Sequence, residues 1–204
     1  MSKAEDWRVY YQRTGSRPPR ETLLDALDRF EAETPEDWIG HAVDLGCGGG
    51  RDTIEMLRRG WSVLAIDGQA SAIETLLARP ELLACGTDLE TQAARFEQAR
   101  WAAADLVNSS FALPLCPQTD FPALWRLIFD SLTPGGRFSG QLYGDRDQWF
   151  GDASISHFTL SEVQALLTAY EVELFREEET DSVTPRGNPK HWHIYHIVAR
   201  KPAT

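Results

Sequence analysis

The chain has 204 residues, 42% hydrophobic and 25% charged, with a formal net charge of −11. That length and composition fit one folded domain with a buried core and exclude disorder. No apolar run reaches the roughly 18–20 residues of a bilayer span, the start from Met1 to Asp6 lacks the apolar core of a leader, and the acidic balance opposes a partner gripped through its phosphates.

Pro18-Pro19 opens a helical stretch whose apolar positions, Leu23, Leu24, Leu27 and Phe30, share one face, and Thr34-Pro35 stops it. Ala42 to Leu45 is a short apolar run ended by glycines. Asp52 to Arg59 reads as a helix with Gly60 as its stop. Trp61 to Ile66 is nearly continuous in apolar residues, as in a strand buried on both faces. Ala70 to Ala78 reads as a helix closed by Pro80. A strand is expected at Leu82 to Cys85, a helix at Thr91 to Gln98 and a strand at Ala104 to Ser109. Phe121 to Leu132 has helical spacing. Pro134-Gly135-Gly136 is a turn before a strand at Arg137 to Tyr143. Thr159-Leu160-Ser161-Glu162 has the capping-box pattern, so a helix should follow to about Thr168. Val172 to Arg176 and Trp192 to Arg200 have no long helical segment between them, so they should pair as an antiparallel hairpin with Thr180 to Pro189 as its loop.

Five strand–helix alternations followed by two adjacent strands predict an α/β three-layer sandwich of Rossmann-like type, with an antiparallel addition at one edge. Ligands on such sheets bind beyond the carboxyl ends of the strands. The expected organisation is a single domain over residues 1–204, with an N-terminal helical lid region over 1–38 and the sheet core over 39–204. Cys47, Cys85 and Cys116 are widely spaced and form no C-x-x-C pair, which argues against a disulfide framework or structural zinc and fits the cytoplasm.

The richest stretch is Ala42-Val43-Asp44-Leu45-Gly46-Cys47-Gly48-Gly49-Gly50-Arg51-Asp52. A buried strand enters a glycine turn and a helix begins at once, so backbone N–H groups and a positive dipole end face a ligand. Asp67 closes the next strand, where a carboxylate can hold ribose hydroxyls. The dinucleotide fingerprint G-x-G-x-x-G fails, because Arg51 stands in the third glycine's place. Asp44 just before the loop would repel a pyrophosphate but welcome a cationic amine. A sulfonium cofactor without phosphate therefore suits the pattern, and a nicotinamide dinucleotide does not.

On these residues the chain resembles the class I S-adenosylmethionine-dependent methyltransferases. Val43 to Gly50 is similar to the family's first motif, and Asp67 matches the acid ending its second strand. Asp88-Leu89 stands where the family reads adenine after its third strand. Ala104 to Ser109 resembles the fourth strand, and Leu132-Thr133-Pro134-Gly135-Gly136 the turn before the fifth. The resemblance implies a seven-stranded, mostly parallel sheet whose last strand is antiparallel, and S-adenosylmethionine as cofactor. It implies cofactor contacts at Asp44, Gly46, Cys47, Gly48, Asp67, Gly68, Asp88, Leu89 and Asn108. Arg17 to Thr22 and the compact size are most similar to the small-molecule branch that includes tellurite-resistance methyltransferases.

Methyl transfer from a sulfonium needs chiefly proximity and alignment, so the lack of a catalytic triad is no objection, and no catalytic residue is assigned. Tyr11 and Arg20, ahead of the first strand, suit a lid over the cofactor, with Arg20 able to fork onto its carboxylate. Phe111, Tyr143, Trp149 and His157 are candidates for the acceptor pocket. Asn108-Ser109-Ser110-Phe111 lacks the Asn/Asp-Pro-Pro-Tyr/Phe loop of adenine and amide methylation. Cys116, preceded by Leu115, lacks the Pro-Cys nucleophile of cytosine methylation and reads as a packing residue. On a strand His191 and His193 share one face and His196 the other, and no nearby carboxylate or Cys is read as completing a set, so no metal is expected. Glu177 to Glu179 and Asp181 read as a solvated hairpin end. The expected partner is a small molecule, with neither nucleic acid nor membrane. The competing readings are methylation of protein or RNA, a non-catalytic S-adenosylmethionine-binding protein, and a nucleotide-dependent oxidoreductase.

Overall fold

The computed structural model describes residues 17–85 and 88–203. The strands are β1 (His41–Leu45), β2 (Ser62–Asp67), β3 (Leu89–Ala93), β4 (Ala104–Ser109), β5 (Leu132–Gly144), the two-residue β6 (His157–Phe158), β7 (Glu171–Val183) and β8 (Pro189–Arg200). The helices are α1 (Glu21–Glu33), α2 (Arg51–Arg58), α3 (Ala70–Leu77), α4 (Phe121–Ser131) and α5 (Leu160–Leu166). The sheet runs β3-β2-β1-β4-β5-β8-β7, with β6 beside β5. Strands β1 to β5 are mutually parallel, and β8 is antiparallel to both β5 and β7. This is the expected Rossmann-like sheet with its antiparallel edge.

Alternation along the central strands sends side chains to two cores. Val43, Leu45, Val107, Phe138 and Leu142 pack with Phe121, Trp125 and Ile128 of α4 and Val163 of α5. Ala42, Val63 and Leu106 meet Leu23, Leu27 and Phe30 of α1 and Met56 and Leu57 of α2 on the other face. Phe30, Trp38 and Trp61 close that side, with ring centroids 5.0–5.6 Å apart. Burying each such side chain contributes about 1.5–3 kcal/mol. The capping box forms as expected: Glu162 N–H donates to Thr159 Oγ1 (3.3 Å) and Thr159 N–H to Glu162 Oε2 (2.7 Å).

Two expectations fail around the third strand. Pro80–Ala84 is a 3-10 helix, and its Leu83 is 93% exposed, so the apolar stretch before Cys85 is not a strand. The strand is Leu89–Ala93, a polar segment that pairs only with β2 at the sheet edge. Pairing there overrides the helical composition of Thr91 to Gln98, because an edge strand open to water needs no apolar run. Residues 94–103 then reach β4 without a helix. At the far end the hairpin strands are longer than expected, and the connecting loop shrinks to residues 184–188. The Pro134-Gly135-Gly136 turn is absorbed into β5 as an irregularity, where pairing with β4 passes from Ala104–Leu132 to Leu106–Arg137.

Candidate active site

The carboxyl ends of β1, β2, β3 and β4 surround a cavity of about 420 Å³. After Leu45 the chain turns through Gly46 (φ +83°), Gly48 (φ +54°) and Gly50 (φ +80°), backbone angles that favour glycine. The Gly46 and Cys47 N–H groups donate to Ile66 O at 2.7 and 3.0 Å, locking the turn onto the end of β2. A Cβ on Gly46 would lie 2.2 Å from Ala112 Cβ, so the turn also passes tightly under the chain that follows β4.

Asp67 is the hub of this wall. Its Oδ2 accepts from Gly48 N–H (3.0 Å) and its Oδ1 from Gln69 N–H (2.8 Å). Burial raises the carboxyl above its ordinary value, while the Gln69 and Gly48 N–H groups pull it back. Asp44 is 1% exposed and accepts from Thr53 Oγ1 (2.5 Å) and Asn108 Nδ2 (2.9 Å). Asn108 Oδ1 in turn accepts from Ser139 Oγ (2.8 Å). Burial, helped by the Asp52 carboxylate, pushes the Asp44 carboxyl up to about 7. Asp52 is shifted the other way. Burial works upward on it, but the Arg51 guanidinium, forked onto both its oxygens at 2.8 Å, outweighs that and lowers it. Asp52 Oδ1 also accepts from Arg20 N–H (3.2 Å), tying the entrance of α1 to the start of α2.

Phe111 has φ +58°, strained for an aromatic residue. Its N–H donates to Gln141 Oε1 (3.0 Å), and Gln141 Nε2 donates to Thr22 Oγ1 on α1 (2.8 Å). The Arg20 guanidinium lies 4.3 Å from the Phe111 ring centroid. Arg20, Phe111 and Leu115 also border a second cavity of about 230 Å³, whose other walls include Tyr143, Trp149, Trp192 and Glu178.

The structure thus gathers Arg20, Asp44, Gly46, Cys47, Gly48, Asp67, Gly68 and Phe111 around the first cavity, and Tyr143 and Trp149 around the second. Asn108 stands outside the first cavity and supports Asp44. His157 lines neither cavity. It packs against Tyr143 (ring centroids 6.1 Å apart), with Nε2 3.8 Å from Asp147 Oδ1, and burial holds it below its ordinary pKa. Asp88 and Leu89 do not line the first cavity. They stand at the start of β3, the end away from the cavity, because the strand lies later than its apolar signal suggested. The segment that does follow β3 supplies Ala94, Arg95, Phe96 and Glu97 to the wall. Its only sequence signal was its distance past a polar strand. Tyr11 lies outside the described residues.

The C-terminal hairpin also differs from expectation. His191 meets Asp181 (2.8 Å) and Glu179 (3.2 Å), His193 meets Glu177 (2.8 Å), and His196 meets Glu178 (3.0 Å). The acids read as a solvated hairpin end are cross-strand partners of the histidines. Among the described residues no group of three or more His, Cys, Asp or Glu is arranged to hold a metal ion. Burial pushes the Cys116 thiol up to about 11 and the Cys47 thiol well above its ordinary value, so both stay protonated at neutral pH. Among the described residues no helix is long and apolar enough to cross a membrane.

Residues 42–136, from β1 into β5, match the family model described as a methyltransferase domain. No curated protein matches the sequence. Among solved structures, the fold is similar to that of TehB from Haemophilus influenzae, with a TM-score of 0.71 and 19% identity; the match covers 87% of this chain and 61% of that one. It is similar to a 1,6-didemethyltoxoflavin-N1-methyltransferase from Burkholderia thailandensis solved with S-adenosylhomocysteine, with a TM-score of 0.63, 19% identity, and 98% and 87% of the two chains covered. A magnesium protoporphyrin IX methyltransferase from Synechocystis with bound S-adenosylmethionine matches at a TM-score of 0.63 and 16% identity, over 98% and 85% of the two chains. The glycine turn after β1 and the carboxylate closing β2 lie inside the matched segment, and that domain match together with the shared fold supports a class I S-adenosylmethionine-dependent methyltransferase.

Proposed function

We propose that this methyltransferase acts on a small molecule. The observation that carries the reading is the pair of adjoining cavities sharing Arg20, Phe111 and Leu115. The first has room for a cofactor. The second is smaller, and Phe111, Tyr143, Trp149 and Trp192 stand in its wall, so a compact acceptor suits it better than a polymer. The net charge of −11 weighs against RNA.

In this reading Gly46, Cys47 and Gly48 let the cofactor approach the backbone, and Gly68 extends that wall. Asp67 takes the ribose hydroxyls, and Asp44 faces the amino acid end. Arg20 closes that end from α1. Phe96 and Glu97, a ring and a carboxylate, replace Asp88 and Leu89 as the purine contacts. S-adenosylmethionine supplies an activated methyl group when bound. The protein's part is to hold the acceptor in line and keep water out.

The test is methyl transfer from methyl-labelled S-adenosylmethionine in a cell extract with and without the added chain, with small molecules separated from the unreacted donor by chromatography. A labelled small molecule that appears only when the chain is added is expected. Label retained on protein or RNA contradicts the proposal.

The Asp44 assignment predicts a pH dependence. A cationic amine stabilises the ionised carboxylate, so below about 7 binding must also drive off a proton. Affinity for S-adenosylhomocysteine should therefore rise from pH 5.5 to 7.5, by up to roughly tenfold per pH unit below that pKa, and then level off. In Asp44→Asn, which keeps an oxygen for Asn108, the profile should be flat over this range. Equal profiles by calorimetry would remove the role. The same shift acts on stability with a defined sign: protonated Asp44 favours the fold at low pH, and that contribution is lost as pH rises through about 7.

A further inference from the structure

Lys190 is buried beside the second cavity. Its Nζ lies 2.6 and 2.7 Å from the Asp147 oxygens, 3.6 Å from the Trp192 ring centroid, 3.8 Å from Trp149 and 4.7 Å from Tyr143. All three rings also line the cavity. Their attraction for cations is thus already used by an ammonium within the protein. Arg17 and Arg20 add positive charge at the cavity wall. The acid there is Glu178, and its Oε2 is engaged by Arg176 (3.1 Å) and His196 (3.0 Å). A cationic amine entering this space would meet rings polarised by Lys190 and two guanidinium groups. A flat neutral or anionic ring would meet three aromatic walls and one carboxylate able to accept a hydrogen bond.

We propose that the second cavity takes a small planar aromatic acceptor carrying a hydroxyl group, neutral or anionic, with its ring against Tyr143, Trp149 and Trp192 and its hydroxyl directed to Glu178. The inference rests on the methyltransferase reading and specifies its acceptor. A cavity of about 230 Å³ lies below the roughly 300 Å³ at which drug-sized sites begin, so one or two fused rings set the size. On transfer the hydroxyl oxygen bonds to the methyl carbon. The carbon–sulfur bond breaks with its electron pair left on sulfur, and the hydroxyl proton passes to the Glu178 carboxylate. The overall acidity of the chain therefore does not describe this site, whose immediate lining is locally cationic.

The test is calorimetric titration of the full chain, saturated with S-adenosylhomocysteine, with three probes: naphthol, methoxynaphthalene and cyclohexylamine. Naphthol should bind, at least fivefold tighter than methoxynaphthalene, and cyclohexylamine should not bind measurably. Trp149, which is 37% exposed on a loop, can be replaced without cutting into the sheet. Trp149→Leu should weaken naphthol about tenfold, and Glu178→Ala should erase its advantage over methoxynaphthalene. Both variants should still bind S-adenosylhomocysteine, which shows that they fold. If either does not, the wild-type probe ranking alone decides. Cyclohexylamine binding as tightly as naphthol, or naphthol binding unchanged in a folded Trp149→Leu, overturns the proposal while leaving the cofactor reading intact. Failure of the wild-type chain to bind S-adenosylhomocysteine overturns both.

Discussion

Asp67→Ala should weaken S-adenosylhomocysteine binding by roughly ten- to a hundredfold, as expected for losing hydrogen bonds to a charged group worth about 1.5–3 kcal/mol. Two effects act together. The carboxylate assigned to the ribose disappears, and the N–H groups of Gly48 and Gln69 lose their shared acceptor, so the glycine turn loses one of the ties that hold it against β2. Asp67→Asn separates them. Its amide oxygen can still accept one backbone N–H, so the turn should be partly kept while the charge is lost. Calorimetry should rank the affinities as wild type, then Asn, then Ala. Unchanged affinity in the Ala variant would remove Asp67 from the cofactor site.

Gly46→Ala should be the more damaging change, because it acts on folding as well as on binding. The residue has φ +83°, which costs an L-side chain about 1–2 kcal/mol. Its Cβ would meet Ala112 Cβ at 2.2 Å, and overpacking of that kind costs about 1–3 kcal/mol more. The contact is between two short, stiff groups, so backbone must move to relieve it. The expected destabilisation is about 3 kcal/mol by denaturant titration. The fraction that folds should bind S-adenosylhomocysteine poorly, because the turn cannot close under the segment after β4. Gly60→Ala is the control. Gly60 also has a positive φ (+80°) but nothing within 4 Å of an added Cβ, so only the backbone part of the cost should appear. Equal losses at the two positions would mean that the crowding against Ala112 is unimportant.

The parts of the fold that were legible in the sequence are those where burial leaves a strong mark. β1, β2 and β4 lie in the interior of the sheet, and their apolar runs, bounded by glycines and helix signals, locate them within a residue or two. The glycine turn was readable because its geometry excludes other residues. β3 was not, because an edge strand facing water carries polar side chains, and the apolar Leu82 to Cys85 nearby imitated it. That one displacement moved the acid assigned to adenine to the wrong end of the sheet. The aromatic box was half legible: Tyr143 lies at the end of the fifth strand and Trp149 follows it, but Trp192 arrives from β8 and Lys190 from its start, contacts that depend on the register of a hairpin. The cross-strand pairing of His191, His193 and His196 with the β7 acids was hidden for the same reason.

The central claim is that the turn after β1 and the carboxylate after β2 hold S-adenosylmethionine beside a separate acceptor cavity. Titration calorimetry of the whole chain with S-adenosylhomocysteine, with a nicotinamide dinucleotide run in parallel, tests it most directly. The account predicts one S-adenosylhomocysteine site per chain, sensitive to Asp67→Ala, and no heat from the dinucleotide. Dinucleotide binding without S-adenosylhomocysteine binding would contradict it.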